Sequence, residues 1–363
     1  MLTRILTPLD GSELAERAVA VAARLAHASG GALLLLRVYT GLLGETAPEL
    51  VAHSETADAR EARAYLERIR QRPDLDGLVV ETLALSGATA RAILDAVAEF
   101  HADTIVMSSH GRSGITRWAL GSVAEHVVRH APVPVLVLRG NTLEPLATAP
   151  TEGSAWSVCI GLDGSELAEQ TLAPAAQLLR AVAGAAPAEA LLARIMKPPT
   201  PADDELAAVA QEAPAAYERR LAASEAYLQT VAERLRVGDL APLGIHARWS
   251  VIQAADSASA LIQAAEHPAW VRWHTANMEA SEASEASEVG DTPAVEHQRA
   301  SLIALATHGR GGFQRWALGS VAERVLEGTS LPLLLVRSSA PSLAETPPAD
   351  PADPAGPAAP GDV

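Results

Sequence analysis

Two blocks of sequence occur twice in this chain, in the same order, and that repetition constrains the fold more than any other feature. LDGSELAE occupies Leu9 to Glu16 and again Leu162 to Glu169, while RWALGSVAE occupies Arg117 to Glu125 and again Arg315 to Glu323. The first block recurs 153 positions on (162 − 9) and the second 198 positions on (315 − 117), so the second copy carries 45 more residues between them. A unit that returns with its internal order intact is one domain present twice. A chain of 363 residues accommodates two domains of about 150 residues, each able to bury its own core.

Each copy alternates strand-like and helix-like segments. In the first, Arg4 to Leu9 is a short apolar strand, and Leu14, Ala18, Val21 and Leu25 then recur at helical spacing until Gly30-Gly31 stops the helix. Ala32 to Val38 is a continuous apolar run of strand length, as expected for a strand covered on both faces. The pattern then predicts a helix over 57–70, a strand over 78–85, a helix over 89–100, a strand over 104–108, a helix over 121–130 and a strand over 133–138. The second copy repeats the order, with strands at 158–162, 190–195, 245–251, 302–306 and 333–336, a helix from Glu166 and a long helix through 217–236. Strands separated by crossovers of a dozen or more residues form a parallel sheet with right-handed connections. The fold class is therefore α/β, with two tandem doubly wound, Rossmann-like domains. With aromatic residues at 3%, their cores are built from Ala, Val, Leu and Ile.

The expected division is domain one at 1–140, a linker at 141–155, domain two at 156–338 and a disordered tail at 339–363. A flexible insertion near 266–299, containing ASEASEASE, interrupts the second domain. The last strands, VPVLVLR and LPLLLVR, carry Pro134 and Pro332, which fit the start or the free side of an edge strand. An apolar edge needs cover, and two copies in one chain can cover each other there as an intramolecular pseudo-dimer.

Lys and Arg number 28 against 44 Asp and Glu, a formal charge of −16 that argues against a nonspecific grip on nucleic acid or an anionic membrane. The single cysteine, Cys159, falls in a run that reads as a buried strand, so it packs a core and the expected compartment is reducing. The opening segment MLTRILTPLDG has too short an apolar stretch for a signal peptide, and no 18 consecutive apolar residues occur. A cytoplasmic location is the expectation.

In a doubly wound sheet, ligands sit beyond the carboxyl ends of the strands where the strand order reverses. Pro8-Leu9-Asp10-Gly11-Ser12 places a carboxylate and a hydroxyl there, which also suit capping of the following helix. SSHGRSGITRWALGS follows a later strand. Its Gly111 and Gly114 allow close approach of the backbone, and the first free N–H groups at Ser122 and Val123, after Gly121, carry the positive end of a helix dipole. These are the parts of a phosphate cradle, in neither the Walker nor the Rossmann glycine spacing. The second copy offers THGRGGFQRWALGS, with Gly309, Gly311, Gly312, Gly319, Ser320 and Val321. His110 and His308 lie inside the loops with no second ligand at metal spacing, so no metal site of the protein alone is assigned. Arg112, Arg117, Arg310 and Arg315 read either as phosphate donors or as solvated loop charges, and Trp118 and Trp316 as apolar plugs.

The spacing of Gly111, nine residues, then Gly121-Ser122 resembles the nucleotide loop of the universal stress protein family, whose pattern is Gly, two residues, Gly, nine residues, Gly-Ser or Gly-Thr. Gly309, nine residues and Gly319-Ser320 match likewise, and the first glycine of the pattern is replaced by Ser108 and Ala306. The resemblance covers about 1–139 and 156–337. It implies roles for Asp10 and Asp163 after the first strand, and for Val38 and Ile195 at the end of the second, where the backbone meets adenine. It also places Pro8 beside the ligand, where the second copy has Gly161. ATP or a related adenine nucleotide in each copy is implied, with Mg2+ carried by the nucleotide, together with pairing through the last strand. The implied function is an ATP-binding module of cytoplasmic stress response or signalling. Two alternatives stay open: a nucleotide-free interaction or dimerisation module with degenerate loops, and a slow ATP hydrolase, for which His110 or Asp10 are the available bases. No catalytic residue is assigned.

Overall fold

In a computed structural model the described residues are 2–39, 56–109, 120–139, 146, 155–198, 213–275, 299–307 and 318–337. The first copy contains β1 (Arg4–Leu9), α1 (Glu13–Ser29), β2 (Ala32–Tyr39), α2 (Ala57–Arg70), β3 (Val79–Ser86), α3 (Thr89–Glu99), β4 (Thr104–Ser108), α4 (Ser122–His130) and β5 (Val135–Leu138). The second contains β6 (Trp156–Gly161), α5 (Glu166–Glu169), α6 (Leu172–Ala183), β7 (Ala188–Met196), α7 (Ala213–Val237), β8 (His246–Gln253), α8 (Ser257–Glu266), β9 (His274–Thr275), β10 (Leu302–Ala306), α9 (Ser320–Gly328) and β11 (Leu333–Val336).

All eleven strands join one sheet in the order β3-β2-β1-β4-β5-β11-β10-β6-β7-β8-β9. Pairing within each copy is parallel apart from β9, which lies antiparallel on the edge of β8. The copies meet where β5 pairs antiparallel with β11 through Val137↔Leu333, Leu136↔Leu334 and Val135↔Leu335. The two apolar edges thus cover each other inside one chain, as the strand sequences predict.

The period-two alternation of a strand explains the continuous apolar runs. Leu33 and Leu35 of β2 face the core beneath α1 and α2, whereas Leu34 and Leu36 face the core shared with α3 and α4. Both cores run through the two copies, so the layers on either face are continuous across the β5–β11 junction. Cys159 is fully buried in one of them, and burial pushes its thiol up to about 12. It is a small apolar residue in function.

Two details depart from the sequence pattern. The helix from Glu166 is broken into α5 and α6, because Pro174 has no N–H to continue a helix and its ring opposes the carbonyl four residues earlier. The start of the expected insertion is built: Trp273 donates its indole N–H to the Pro268 carbonyl at 3.0 Å, and His274–Thr275 forms β9. Residues 276–298 of that insertion and the whole tail lie outside the described residues, as does the linker apart from Leu146 and Ala155. No described helix is long and apolar enough to cross a membrane.

Candidate functional site

Strand order reverses between β1 and β4, so their carboxyl ends bound a crevice. β1 stays paired with β2 to its last residue, Leu9↔Arg37, but with β4 it pairs through Ile5↔Thr104 and Leu6↔Ile105. Pro8, lacking an N–H, cannot extend the ladder toward β4, and the strands part at that point. With Gly161 in the same place, β6 pairs with β10 one step further, to Ile160↔Ala304.

Beyond β1, Gly11 turns the chain at φ 83° and Gly164 does so at φ 84°, conformations that favour glycine. Each turn folds its aspartate back on the serine that follows. Ser12 donates its N–H at 2.9 Å and its hydroxyl at 2.6 Å to Asp10 Oδ1, and its oxygen caps α1 by accepting from the Ala15 N–H at 3.2 Å. Asp163, Ser165 and Ala168 repeat this at 2.9, 2.6 and 3.2 Å. Capping belongs to the serine, and the aspartate braces the cap.

The loop after β4 returns to the strand it left. Gly121 donates to the Ser109 carbonyl at 2.9 Å, and Ser109 in turn donates to Leu138 of β5 at 2.9 Å. Thr307 and Gly319 reproduce the closure, at 2.9 Å to Val336 and 2.7 Å between themselves. The first turns of α4 and α9 are thereby fixed at the carboxyl edge of the sheet. No side chain caps either turn. Gly121 has φ −64° and Gly319 φ −61°, which any residue adopts, so backbone freedom is not what glycine supplies there. It leaves Ser122 and Ser320, both exposed, and Val123 and Val321 with their N–H groups open to approach.

Val38 and Ile195 lie next to the carboxyl ends of β2 and β7, both half-buried, Val38 against the core on the α3 side. Ser108 is buried and Ala306 half-buried at the ends of β4 and β10. Pro8, Asp10, Val38, Ser108, Gly121, Ser122 and Val123 therefore gather at one edge. Asp163, Ile195, Ala306, Gly319, Ser320 and Val321 gather at the corresponding edge of the second copy. His110, Gly111, Arg112, Gly114, His308, Gly309, Arg310 and Gly312 lie outside the described residues, with Arg117, Trp118, Gly311, Arg315 and Trp316.

The match to the family model falls on the same two units: universal stress protein family, at residues 1–139 and 157–337. The chain belongs to the universal stress protein family. A universal stress protein of Thermus aquaticus is 37% identical over 142 residues, which is 38% of this chain and all of the relative. One from Mycolicibacterium smegmatis is 24% identical over 341 residues, spanning 92% of this chain and 96% of its own, so the tandem arrangement is shared. The fold matches a crystal structure of a universal stress protein from Archaeoglobus fulgidus with a TM-score of 0.56 at 15% identity, covering 93% of this chain and all of that one.

Behind the aspartate turn of each universal stress domain stands a group that pattern reading missed. Arg37 lies with its guanidinium 5.3 Å from the Tyr65 ring centre, and Arg194 lies 5.2 Å from that of Tyr227. The available signal was the single cation near the end of each apolar run, ALLLLRVY and AEALLARIM.

Proposed function

We propose that each universal stress domain binds an adenine nucleotide, ATP with Mg2+, and that the chain works as a cytoplasmic stress-response or signalling module through the nucleotide's effect on its conformation or partners. The observation that carries this reading is the uncapped first turn at Gly121-Ser122-Val123, held by Ser109 beside the aspartate turn and repeated at Gly319-Ser320-Val321. The donor set fits the ligand. Backbone N–H groups and a serine hydroxyl suit phosphate oxygens, and the carboxylates of Asp10 and Asp163 suit the hydroxyl or amino donors of a nucleoside. The bound nucleotide would supply negative charge to the open N–H groups at the first turns of α4 and α9. The chain's own part is to hold phosphate at the helix turn and orient the nucleoside from the aspartate turn.

One observation favours a second reading for the second domain, an interaction module with a closed crevice. A Cβ at Gly161 would meet Leu305 Cδ2 at 2.4 Å and Leu261 Cδ2 at 2.9 Å, so leucines fill the space that Pro8 occupies in the first domain. Calorimetric titration of ATP with magnesium into the wild type, Gly121→Val and Gly319→Val separates the readings. Two sites lost one at a time support binding in both domains. One site lost with Gly121→Val alone assigns the second domain to the interaction role, and no heat in the wild type removes the nucleotide reading.

A further inference from the structure

The aspartate turn of the first domain rests on an arginine. Arg37 is the register partner of Leu9, and its Nη1 donates to the Leu9 carbonyl at 3.2 Å, immediately before Asp10. A methyl placed on Gly11 would stand 3.3 Å from the same nitrogen, so the guanidinium fills the space behind the turn. Tyr65 of α2 offers its ring to that guanidinium on one side and to Arg68 at 5.1 Å, while Arg68 pairs with Glu16 of α1 at 2.9 Å. Burial and the adjacent Glu16 carboxylate raise the Tyr65 hydroxyl well above its ordinary range, so the ring stays neutral under the cations. Arg37 is thus stacked, hydrogen-bonded and half-buried against the turn that carries the candidate nucleoside contact.

The second domain retains the arginine–tyrosine stack and the glutamate ion pair although its surroundings have changed. Arg194 follows Ala193, the register partner of Gly161, and stacks on Tyr227, while Glu169 pairs with Arg234. Burial and Glu169 raise the Tyr227 hydroxyl too, and the charge of Asp163 acts on it, which brings the cluster within electrostatic reach of the aspartate. Between the domains Pro8 becomes Gly161 and Val38 becomes Ile195. The arginine paired with the glutamate shifts from three residues after the tyrosine to seven. An ion pair whose partner moves along its helix is replaceable. The arginine on the strand, the tyrosine and the glutamate have held their places.

We propose that Arg37 and Arg194 are positioning residues of the two nucleotide sites, each bracing its aspartate turn from behind so that the carboxylate of Asp10 or Asp163 keeps a fixed direction toward the nucleoside. This rests on the nucleotide reading above. It requires that the arginines act through the aspartates and on the nucleoside, leaving the phosphates to the turns at Ser122 and Ser320.

The test titrates MgATP, adenosine and tripolyphosphate into the full chain, with both domains changed together: Arg37→Ala/Arg194→Ala, Arg37→Lys/Arg194→Lys, Asp10→Ala/Asp163→Ala, and the arginine and aspartate alanine changes combined. The expected result is about tenfold weaker binding of ATP and of adenosine in the arginine-to-alanine protein, with tripolyphosphate unchanged. Lysine should not restore affinity, because a point charge lacks the planar stack on tyrosine. The combined protein should bind no more weakly than the aspartate variant, since residues acting through one another do not add. Equal loss of tripolyphosphate, multiplicative effects, or unchanged adenosine affinity would each overturn the proposal. Wild type that binds ATP while the arginine variants do too removes this inference alone; wild type that binds none removes the nucleotide reading with it. Should the alanine protein fail to fold, Tyr65→Leu/Tyr227→Leu withdraws the stacking face and must lower adenosine affinity, whereas Tyr65→Phe/Tyr227→Phe must keep it.

Discussion

At the scale of single residues, the polar groups that matter tie distant strands together at their ends. Thr3 donates both its N–H, at 2.8 Å, and its hydroxyl to Asp103 Oδ2, and the Asp103 N–H donates back to the Arg4 carbonyl at 2.9 Å, joining the starts of β1 and β4. Burial opposes ionisation of Asp103, but the donors from Thr3 and Thr104 outweigh it, and the carboxyl is held below its ordinary 3.8. A carboxyl with a lowered folded-state pKa contributes stability that is fully present above 3.8 and disappears as pH falls through its folded value. Asp103→Asn is expected to lower the unfolding free energy read from urea titration at pH 7 by about 1 kcal/mol for a partly exposed group, and to differ little from wild type at pH 2. An equal deficit at both pH values would show that charge is not the cause. Asp103 carries no local signal, since its partner lies a hundred residues away. Asp10 and Ser12, whose bonds span two and three residues, were legible from sequence. Arg37 was not, because the carbonyl it grips is set by strand register.

At the scale of elements, boundaries were readable where a cap or breaker lies beside the run it ends. Ser12 and Gly30 bracket α1, the latter in the left-handed conformation at φ 66°, and 57–70 was read to its limits as α2. Sequence pattern and structure part where the two copies differ. Internal repetition implied an unbroken counterpart of α1, but Pro174 divides it, and no repeat announced α8, which the second copy nevertheless forms with Asp256 as its cap. Strand β6 shows how closely such differences are packed. Gly161→Ala would drive a Cβ against Leu305 and Leu261, so overpacking should cost about 1–3 kcal/mol in urea unfolding. No loss of stability would mean that the leucines move aside freely and that the crevice of the second domain is not closed by them.

At the scale of the whole molecule, the antiparallel β5–β11 junction turns the two domains head to tail, so their candidate sites face opposite edges of one sheet. The junction is directional as well as apolar. Arg129 of α4 pairs with Glu125 at 2.9 Å and with Glu323 of α9 at 2.8 Å, and Arg337 of the second domain donates to the His130 carbonyl of the first at 3.1 Å. At the position matching Arg129 the second domain has Glu327, so two second domains facing each other would oppose acids where this chain opposes an acid and a base. On the other face Arg24 of α1 donates to the Leu146 and Val182 carbonyls, at 3.1 Å to the former, and its guanidinium lies 4.9 Å from the Trp156 ring centre. Its counterpart in α6 is Gln177, so this clamp exists in one direction only. The repeat made the pseudo-dimer legible but hid the clamp, which depends on a linker residue and on a position where the copies differ. Arg24→Ala removes charge-assisted bonds to carbonyls and a stacked ring, together worth about 2 kcal/mol, while Gln177→Ala should stay within about 0.5 kcal/mol. Because the lost contacts tie the first domain to the linker and the second domain, the expected sign in calorimetric melting is a single transition resolving into two. A single transition that merely moves to lower temperature would place the coupling in the β5–β11 ladder instead, where the continuous cores alone make the two domains unfold as one.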